Sequence, residues 1–347
     1  MTGVVALGAT VGATLLVVLV QGGDAKPPSC TGAAAIDLDC QKRRHAAILR
    51  QSGPEAAFKE LKRGSRREGF IRNGCHPITH AMGNAAADRY DSLAPAYARG
   101  DSFCSAGYYH GVTERLIQRA GAGKMIEQAD RACADLGGHA RHSIYHRNCA
   151  HGLGHGFMLV HSYDLPASLG TCDSLRDSWE RRSCYGGVFM ENVMTLGRNR
   201  GPSKYLRPNE PLYPCNSLRR RYREMCYQKQ TGYALFIRDD DFGAVFALCA
   251  KVEPRFRPSC NQGLGTNIAV HYLKRISQEK DRIGLTVATC MLPRDGAARR
   301  NCLKGAVRAV INYYHRTSRA EKLCAAAKRG LRRGCLAVVA DKKTWPE

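Results

Sequence analysis

The spacing of the cysteines constrains this chain more than any other feature. Cys172 and Cys184, Cys215 and Cys226, Cys249 and Cys260, Cys290 and Cys302, and Cys324 and Cys335 form five successive pairs, each eleven or twelve residues apart. Cys133 and Cys149 make a longer version of the same unit. Apolar residues precede the first Cys of a unit, Arg often stands two or three places before the second, and a Gly-containing segment follows, as in ERRSCYGGVFMENV and ARRNCLKGAVRAVINY. Self-similarity at a regular period marks a repeat architecture. The first Cys is expected to end a short helix and the second to open the next, so that a disulfide staples a helical hairpin. Closing a loop of about a dozen residues contributes about 3 kcal/mol by restricting the unfolded chain. That matters for units too short to bury a core alone.

The expected fold is therefore all-α, a solenoid-like array of about seven or eight disulfide-stapled helical hairpins, each completed by its neighbours. Helical spacing and Ala-rich faces with charged flanks agree, and strand-like stretches are few. Cys75 and Cys104 carry only the second half of the unit and can pair with each other, which leaves Cys30 and Cys40 for a small N-terminal loop. Spacing does not fix these two pairings. From Cys133 to Cys335 the layout loosely resembles the disulfide-clamped Sel1-like helical-repeat proteins, in which two cysteines join the helices of each unit. The Sel1 consensus of Leu-Gly, Tyr and Gly at fixed places is missing, so the resemblance implies architecture and no function.

Four segments are expected along the chain. Residues 1–29 hold an uncharged apolar run, Gly3 to Val20, followed by the small residues Gly23 and Ala25, and read as an export signal or a retained membrane anchor with a short linker. The run lacks a basic flank, which leaves both open. Residues 30–196 form the N-terminal repeats, with a break near Gly121 to Gly123; 197–214, rich in Pro, Gly and Asn, form a connecting loop; and 215–347 form C-terminal repeats that serve as scaffold or docking surface. Sixteen cysteines, an even number, point to an oxidising compartment and an extracytoplasmic protein, secreted or anchored by its N-terminus. A formal charge of +23, with 38 Arg against 15 Lys, attracts anionic partners such as lipid headgroups, envelope polymers or an acidic protein. The basic residues are scattered rather than gathered in one arm, and an exported protein rarely meets nucleic acid.

The chemistry is concentrated. Nine of the twelve histidines lie between His76 and His161. Aligned on the second Cys, the segments CHPITHAMG from Cys75, CSAGYYHGVTE from Cys104, CAHGLGHGFM from Cys149 and CYGGVFMEN from Cys184 bring their polar residues to similar levels of successive helices. His76 with His80, His110 with Glu114, and His151 with His155 are spaced four apart, so each pair shares one helix face and can chelate an ion. Glu191 is a fourth contribution. These seven are the candidate metal ligands, with Glu114 and Glu191 also the candidate catalytic carboxylates. His80, His110, His155 and Glu191 fall closest in register, and Pro77 is expected to displace its helix start. The matching positions of later units hold Thr266, Asn267, Arg308 and Ala309, so the repeat itself does not require histidine there. His139, His142 and His146 are weaker candidates, and His45, His271 and His315 read as structural or solvated.

Gly107, Gly111, Gly152, Gly154, Gly156, Gly186 and Gly187 accompany the histidines, although a helical glycine costs about 1 kcal/mol relative to Ala. Either neighbouring helices approach closely or the backbone leaves room for an ion and substrate. Imidazole with carboxylate suits one or two transition-metal ions, Fe, Zn, Cu or Mn. A repeat scaffold presenting such residues on successive units is similar in principle to the di-iron deoxyhypusine hydroxylases, though only His110 and Glu114 here form a His-Glu pair of that kind. No G-x-S-x-G, H-E-x-x-H, P-loop or C-x-x-C-H motif is present. Two functions remain: an envelope metalloenzyme acting on a small or polymeric substrate, oxidoreductase slightly ahead of hydrolase, or a non-catalytic basic scaffold.

Overall fold

In the computed structural model, residues 26–101, 103–104, 107–120, 133, 142–194, 203–276, 278–314 and 316–341 are described. The N-terminal apolar run, the break at Gly121 to Gly123, residues 197–202 of the connecting loop, His139 and His315 lie outside them. Among the described residues there are fourteen α-helices and no strand. Nine form the main series, the long helices, of which the last is trimmed to 11 residues: α1 (Leu38–Arg67), α2 (Gly69–Tyr90), α4 (Gly107–Ala120), α5 (Ile144–Val160), α7 (Ser178–Met194), α8 (Arg220–Phe236), α10 (Arg257–Arg275), α12 (Gly296–Tyr314) and α14 (Arg329–Val339). Between them lie the short α3 (Leu93–Ala98), α6 (Leu165–Asp173), α9 (Phe242–Lys251), α11 (Glu279–Cys290) and α13 (Thr317–Ala326).

Several helix starts are set by short polar side chains that accept otherwise orphaned backbone N–H groups. Asp37 caps α1 through Asp39 and Cys40, Ser143 caps α5 through His146, Asp164 caps α6 through Ala167 and Asp241 caps α9 through Ala244. Inside α1, Gly53 adopts φ 84° and ψ 171°, a conformation open to glycine alone, and Pro54 follows it. The helix therefore folds back on itself there. The α2 start differs from the expectation: Glu68 breaks the helical backbone, α2 begins at Gly69, and Pro77 lies inside the helix. Cys75 thus sits in the second turn and does not open the helix.

All sixteen cysteines are joined in eight disulfides. The six regular pairs form as the spacing predicts, and the four cysteines whose pairing spacing leaves open join as Cys75–Cys104 and Cys30–Cys40. Such a set is what an oxidising environment permits. Cys172, Cys249, Cys290 and Cys324 each close a short helix, and their partners lie in the first two turns of the following long one.

Each long helix packs on the next in chain order, from α1 on α2 through to α12 on α14, while the short helices pack against the long ones on either side of them in the chain. A long helix flanked on both sides is buried around most of its circumference. In α12, Cys302, Gly305 and Ala309 are buried beside Leu303, Ala306, Val307, Val310 and Ile311, which is wider than one amphipathic stripe. The apolar core falls into two clusters, one from Ala46 to Cys260 and the other from Ala234 to Val339. The first continues across the 197–214 connection, whose described part is tied down: Tyr205 donates to Asp164 Oδ2 at 3.2 Å, and Gln230 Nε2 to the Pro211 carbonyl at 3.2 Å. No described helix is long and apolar enough to cross a membrane.

Reciprocal glycine notches set the closest helix crossings. A Cβ at Gly83 would lie 2.0 Å from the Tyr108 carbonyl oxygen, and one at Gly111 2.1 Å from that of His80, which joins α2 to α4. Gly154 against Cys184 and Gly187 against His151 repeat this between α5 and α7, at 2.1 and 1.9 Å, and Gly265 with Gly305 repeat it between α10 and α12. Of the two readings of the glycines, close helix approach is the one these distances meet. That approach brings the histidines of one helix onto the next.

Candidate metal centre

Five histidines from three neighbouring helices converge: His76 and His80 on α2, His110 on α4, and His151 and His155 on α5. Two groups of three donor atoms, His76/His80/His110 and His110/His151/His155, each lie within 4.8 Å of one another. The rings follow from local structure. Residues four apart on a helix stack on one face, and α4 packs between α2 and α5 and so inserts His110 between the two pairs.

Hydrogen-bond partners settle the tautomers of four rings. His76 Nδ1 lies 2.8 Å from the Cys104 carbonyl oxygen and His151 Nδ1 3.2 Å from that of Ser183. A carbonyl only accepts, so each Nδ1 carries the proton. His80 Nδ1 lies 3.3 Å from Glu114 Oε2 and His155 Nδ1 2.8 Å from Glu191 Oε2, with the carboxylates as acceptors. In all four the lone pair therefore sits on Nε2. Those nitrogens face each other in pairs, His76 to His80 at 3.2 Å and His151 to His155 at 3.3 Å. Two lone pairs cannot hydrogen-bond to each other; a cation between them satisfies both. The spacings also suit one ion, since zinc to imidazole bonds of about 2.0–2.1 Å put tetrahedral neighbours about 3.3–3.4 Å apart.

Electrostatics keep the rings in the ligating form. Burial, reinforced by neighbouring imidazoles, pushes His76 and His110 well below the ordinary imidazole range. Burial does the same for His151, with Lys229 the next contributor. Neutral imidazole is the form that binds metal. The cluster can hold a metal ion on nitrogen donors alone.

The seven residues read from sequence divide into two roles. Five are the converging histidines. Glu114 and Glu191 are buried behind them on Nδ1, outside the groups of converging donors, where they orient His80 and His155 and supply negative charge. This is the carboxylate–histidine–metal arrangement, in which the outer partner fixes ring orientation and raises ligand basicity. Loss of such a partner costs about tenfold to a hundredfold in metal affinity. Glu191→Gln, whose amide can present a nitrogen to the ring, is expected to weaken metal binding by about this factor, with Glu114→Gln milder because its contact is longer. Competition with a chromogenic chelator measures both, and unchanged affinity in both variants would refute the orienting role.

The weaker candidates have other partners. His142 Nε2 meets Asp177 Oδ2 at 2.7 Å and buried His146 meets Glu180, with Trp179 packed against both rings. The backbone N–H of His142 donates to His146 Nδ1 at 2.8 Å, which uses both nitrogens of His146. His161 bonds Thr171, and buried His45 bonds the Gln41 carbonyl. His271 is half-buried beside Asp240 and Arg275.

Sequence reasoning missed the two carbonyls and three cations. Lys229 and Arg147 act on His151, and Lys274 in α10 acts on His76 in α2. All three are half-buried, and none makes an ion pair with a described residue. Burial lowers Lys229 to about 8 and Arg147 to about 10, with Arg147 adding to the cost of Lys229 and Arg308 to that of Arg147. One signal for the acidic partners was present: His80, His146 and His155 meet carboxylates 34, 34 and 36 residues later, and His142 one 35 later, a single unit length.

Fold and site together define an all-helical, disulfide-rich protein with a buried polyhistidine cluster able to hold a metal ion. Comparison of the chain with protein families, with curated proteins and with solved structures finds no significant match, so the geometry carries the functional reading.

Proposed function

We propose that the chain is an extracytoplasmic metalloprotein, a solenoid of disulfide-stapled helical hairpins whose N-terminal units hold a transition-metal centre on His76, His80, His110, His151 and His155. One observation carries this reading: two pairs of Nε2 lone pairs face each other at 3.2 and 3.3 Å, with their Nδ1 protons anchored on carbonyls and buried carboxylates. With these rings neutral, a cation supplies the partner that the two facing lone pairs lack. The solenoid reading is supported by the serial packing of the long helices, and the extracytoplasmic reading by the eight disulfides.

The centre is proposed to act on an anion. Its nitrogen donors are neutral and leave the charge of an ion largely uncancelled apart from Glu114 and Glu191. Lys229, Arg147 and Lys274 add positive charge around it and form no ion pair among the described residues. Such a field raises the local concentration of anionic ligands. A metal held by imidazoles supplies Lewis-acid or redox chemistry; a donor set this rich in histidine favours an oxidoreductase slightly over a hydrolase.

Metal analysis tests the reading on protein exported to an oxidising compartment and purified without a histidine tag. Wild type is expected to retain metal stoichiometrically, and His110→Ala and His155→Ala to lose most of it with helicity and disulfides intact. Wild type that takes up no Zn, Fe, Mn or Cu on reconstitution would leave only the alternative, a non-catalytic basic solenoid that binds an acidic protein, an envelope polymer or an anionic lipid surface.

A further inference from the structure

His110 differs from the other four rings. Its Nδ1 is buried and has no hydrogen-bond partner, and among the described residues no carbonyl or carboxylate is bonded to either of its nitrogens. Burying such a group unsatisfied is costly, so a ring left this way calls for a partner that the side chains do not supply. Its ring centre lies 5.5 Å from that of His76, 5.4 Å from His80, 4.9 Å from His151 and 5.1 Å from His155. It stands between the two pairs and belongs to both groups of three donors.

The flanking parts are duplicated. His76, His80 and Glu114 on α2 and α4 correspond to His151, His155 and Glu191 on α5 and α7. Each set has one Nδ1 on a carbonyl and one on a carboxylate. The helix that supplies Glu191, α7, carries no histidine, so His110 has no counterpart in the second set. The shared ring is thus present once. The described donors nowhere gather more than three together, as a single ion held by all five rings would require.

We propose that the site is dinuclear, with one ion on His76 and His80, a second on His151 and His155, and His110 bridging them through its two ring nitrogens. As the second ion binds, the N–H proton remaining on His110 leaves to solvent, and each nitrogen then offers a lone pair to one ion. This rests on the metal-binding reading above. Two divalent ions with His110 as imidazolate carry +3, which the Glu114 and Glu191 carboxylates reduce to +1.

The test is reconstitution of the full oxidised chain with Cu(II), with copper counted per chain and the paramagnetic resonance signal integrated against it. Wild type is expected to bind two copper ions whose doublet signal integrates to far less than two spins, because an imidazolate bridge couples them. His110→Ala is expected to restore the full spin count of whatever copper it binds, and the His76→Ala/His80→Ala double variant to bind one copper with an isolated doublet. One copper in wild type, or two that integrate as independent spins, overturns the bridge while leaving the metalloprotein reading in place. Failure to bind any metal overturns both. Should His110→Ala not fold, the wild-type stoichiometry and spin count decide alone.

Discussion

Gly187→Ala is expected to destabilise the protein by about 3 kcal/mol or more, while Gly284→Ala, the same substitution in another helix, stabilises it by up to about 1 kcal/mol. A methyl group on Gly187 would lie 1.9 Å from the His151 carbonyl oxygen and 3.1 Å from the Gly154 Cα, both main-chain atoms that no rotamer change can move. Relief requires α7 to withdraw from α5 along a crossing that Gly154 seats equally tightly on Cys184. At Gly284, in the middle of α11, nothing lies within 4 Å of an added Cβ, so only the gain in helix propensity remains. The pair also separates packing from chemistry. Withdrawal of α7 draws Glu191 from His155 and the Ser183 carbonyl from His151, so metal affinity should fall in Gly187→Ala and hold in Gly284→Ala. Thermal unfolding followed by circular dichroism, with metal content on the same samples, reads both effects. A Gly187→Ala protein as stable as wild type would mean that the crossing is not as close as 1.9 Å implies.

Much of this architecture is legible in the sequence because disulfide geometry is local: residues eleven or twelve apart across a turn have few ways to meet, and all six regular pairs form. The histidines are legible for a related reason. Aligning units on the second Cys places His110 and His155 at the same offset, and their rings stack 5.1 Å apart. What alignment does not give is the side of the ring on which a neighbour lies. Glu114 and Glu191 have the residue type of ligands, yet each approaches from α4 or α7 onto Nδ1, the nitrogen turned away from the converging donors. The Cys104 and Ser183 carbonyls are invisible to any reading of side chains. Lys274 lies 198 residues from His76 in sequence, and no local pattern signals that its charge acts on that ring. The 197–214 segment reads as a boundary because Pro and Gly signal turns, whereas continuity of the core depends on what those turns pack against.

If the long helices are serial units, removing disulfides at different places should have different reach, and this gives the second large effect. Cys324→Ser with Cys335→Ser deletes the last staple, between α13 and α14, and Cys172→Ser with Cys184→Ser deletes one between α6 and α7. The loops closed are 11 and 12 residues, so each deletion costs about 3 kcal/mol by chain entropy. Among the described helices, α14 packs on α12 and α13, both earlier in the chain. Loss of its staple is expected to fray α13 and α14, with rapid amide exchange there, and to leave metal content unchanged. At Cys184 the same loss loosens the start of α7, whose Ser183 carbonyl holds His151 and whose Glu191 holds His155, so metal binding should fall by about tenfold or more. Hydrogen exchange by mass spectrometry, read peptide by peptide beside metal analysis, distinguishes the two. Equal loss of metal in both variants would show that the units unfold as one cooperative body. In that case the nearest-neighbour packing between helices would be as strong as the packing within each hairpin, and the array would not behave as a chain of separable repeats.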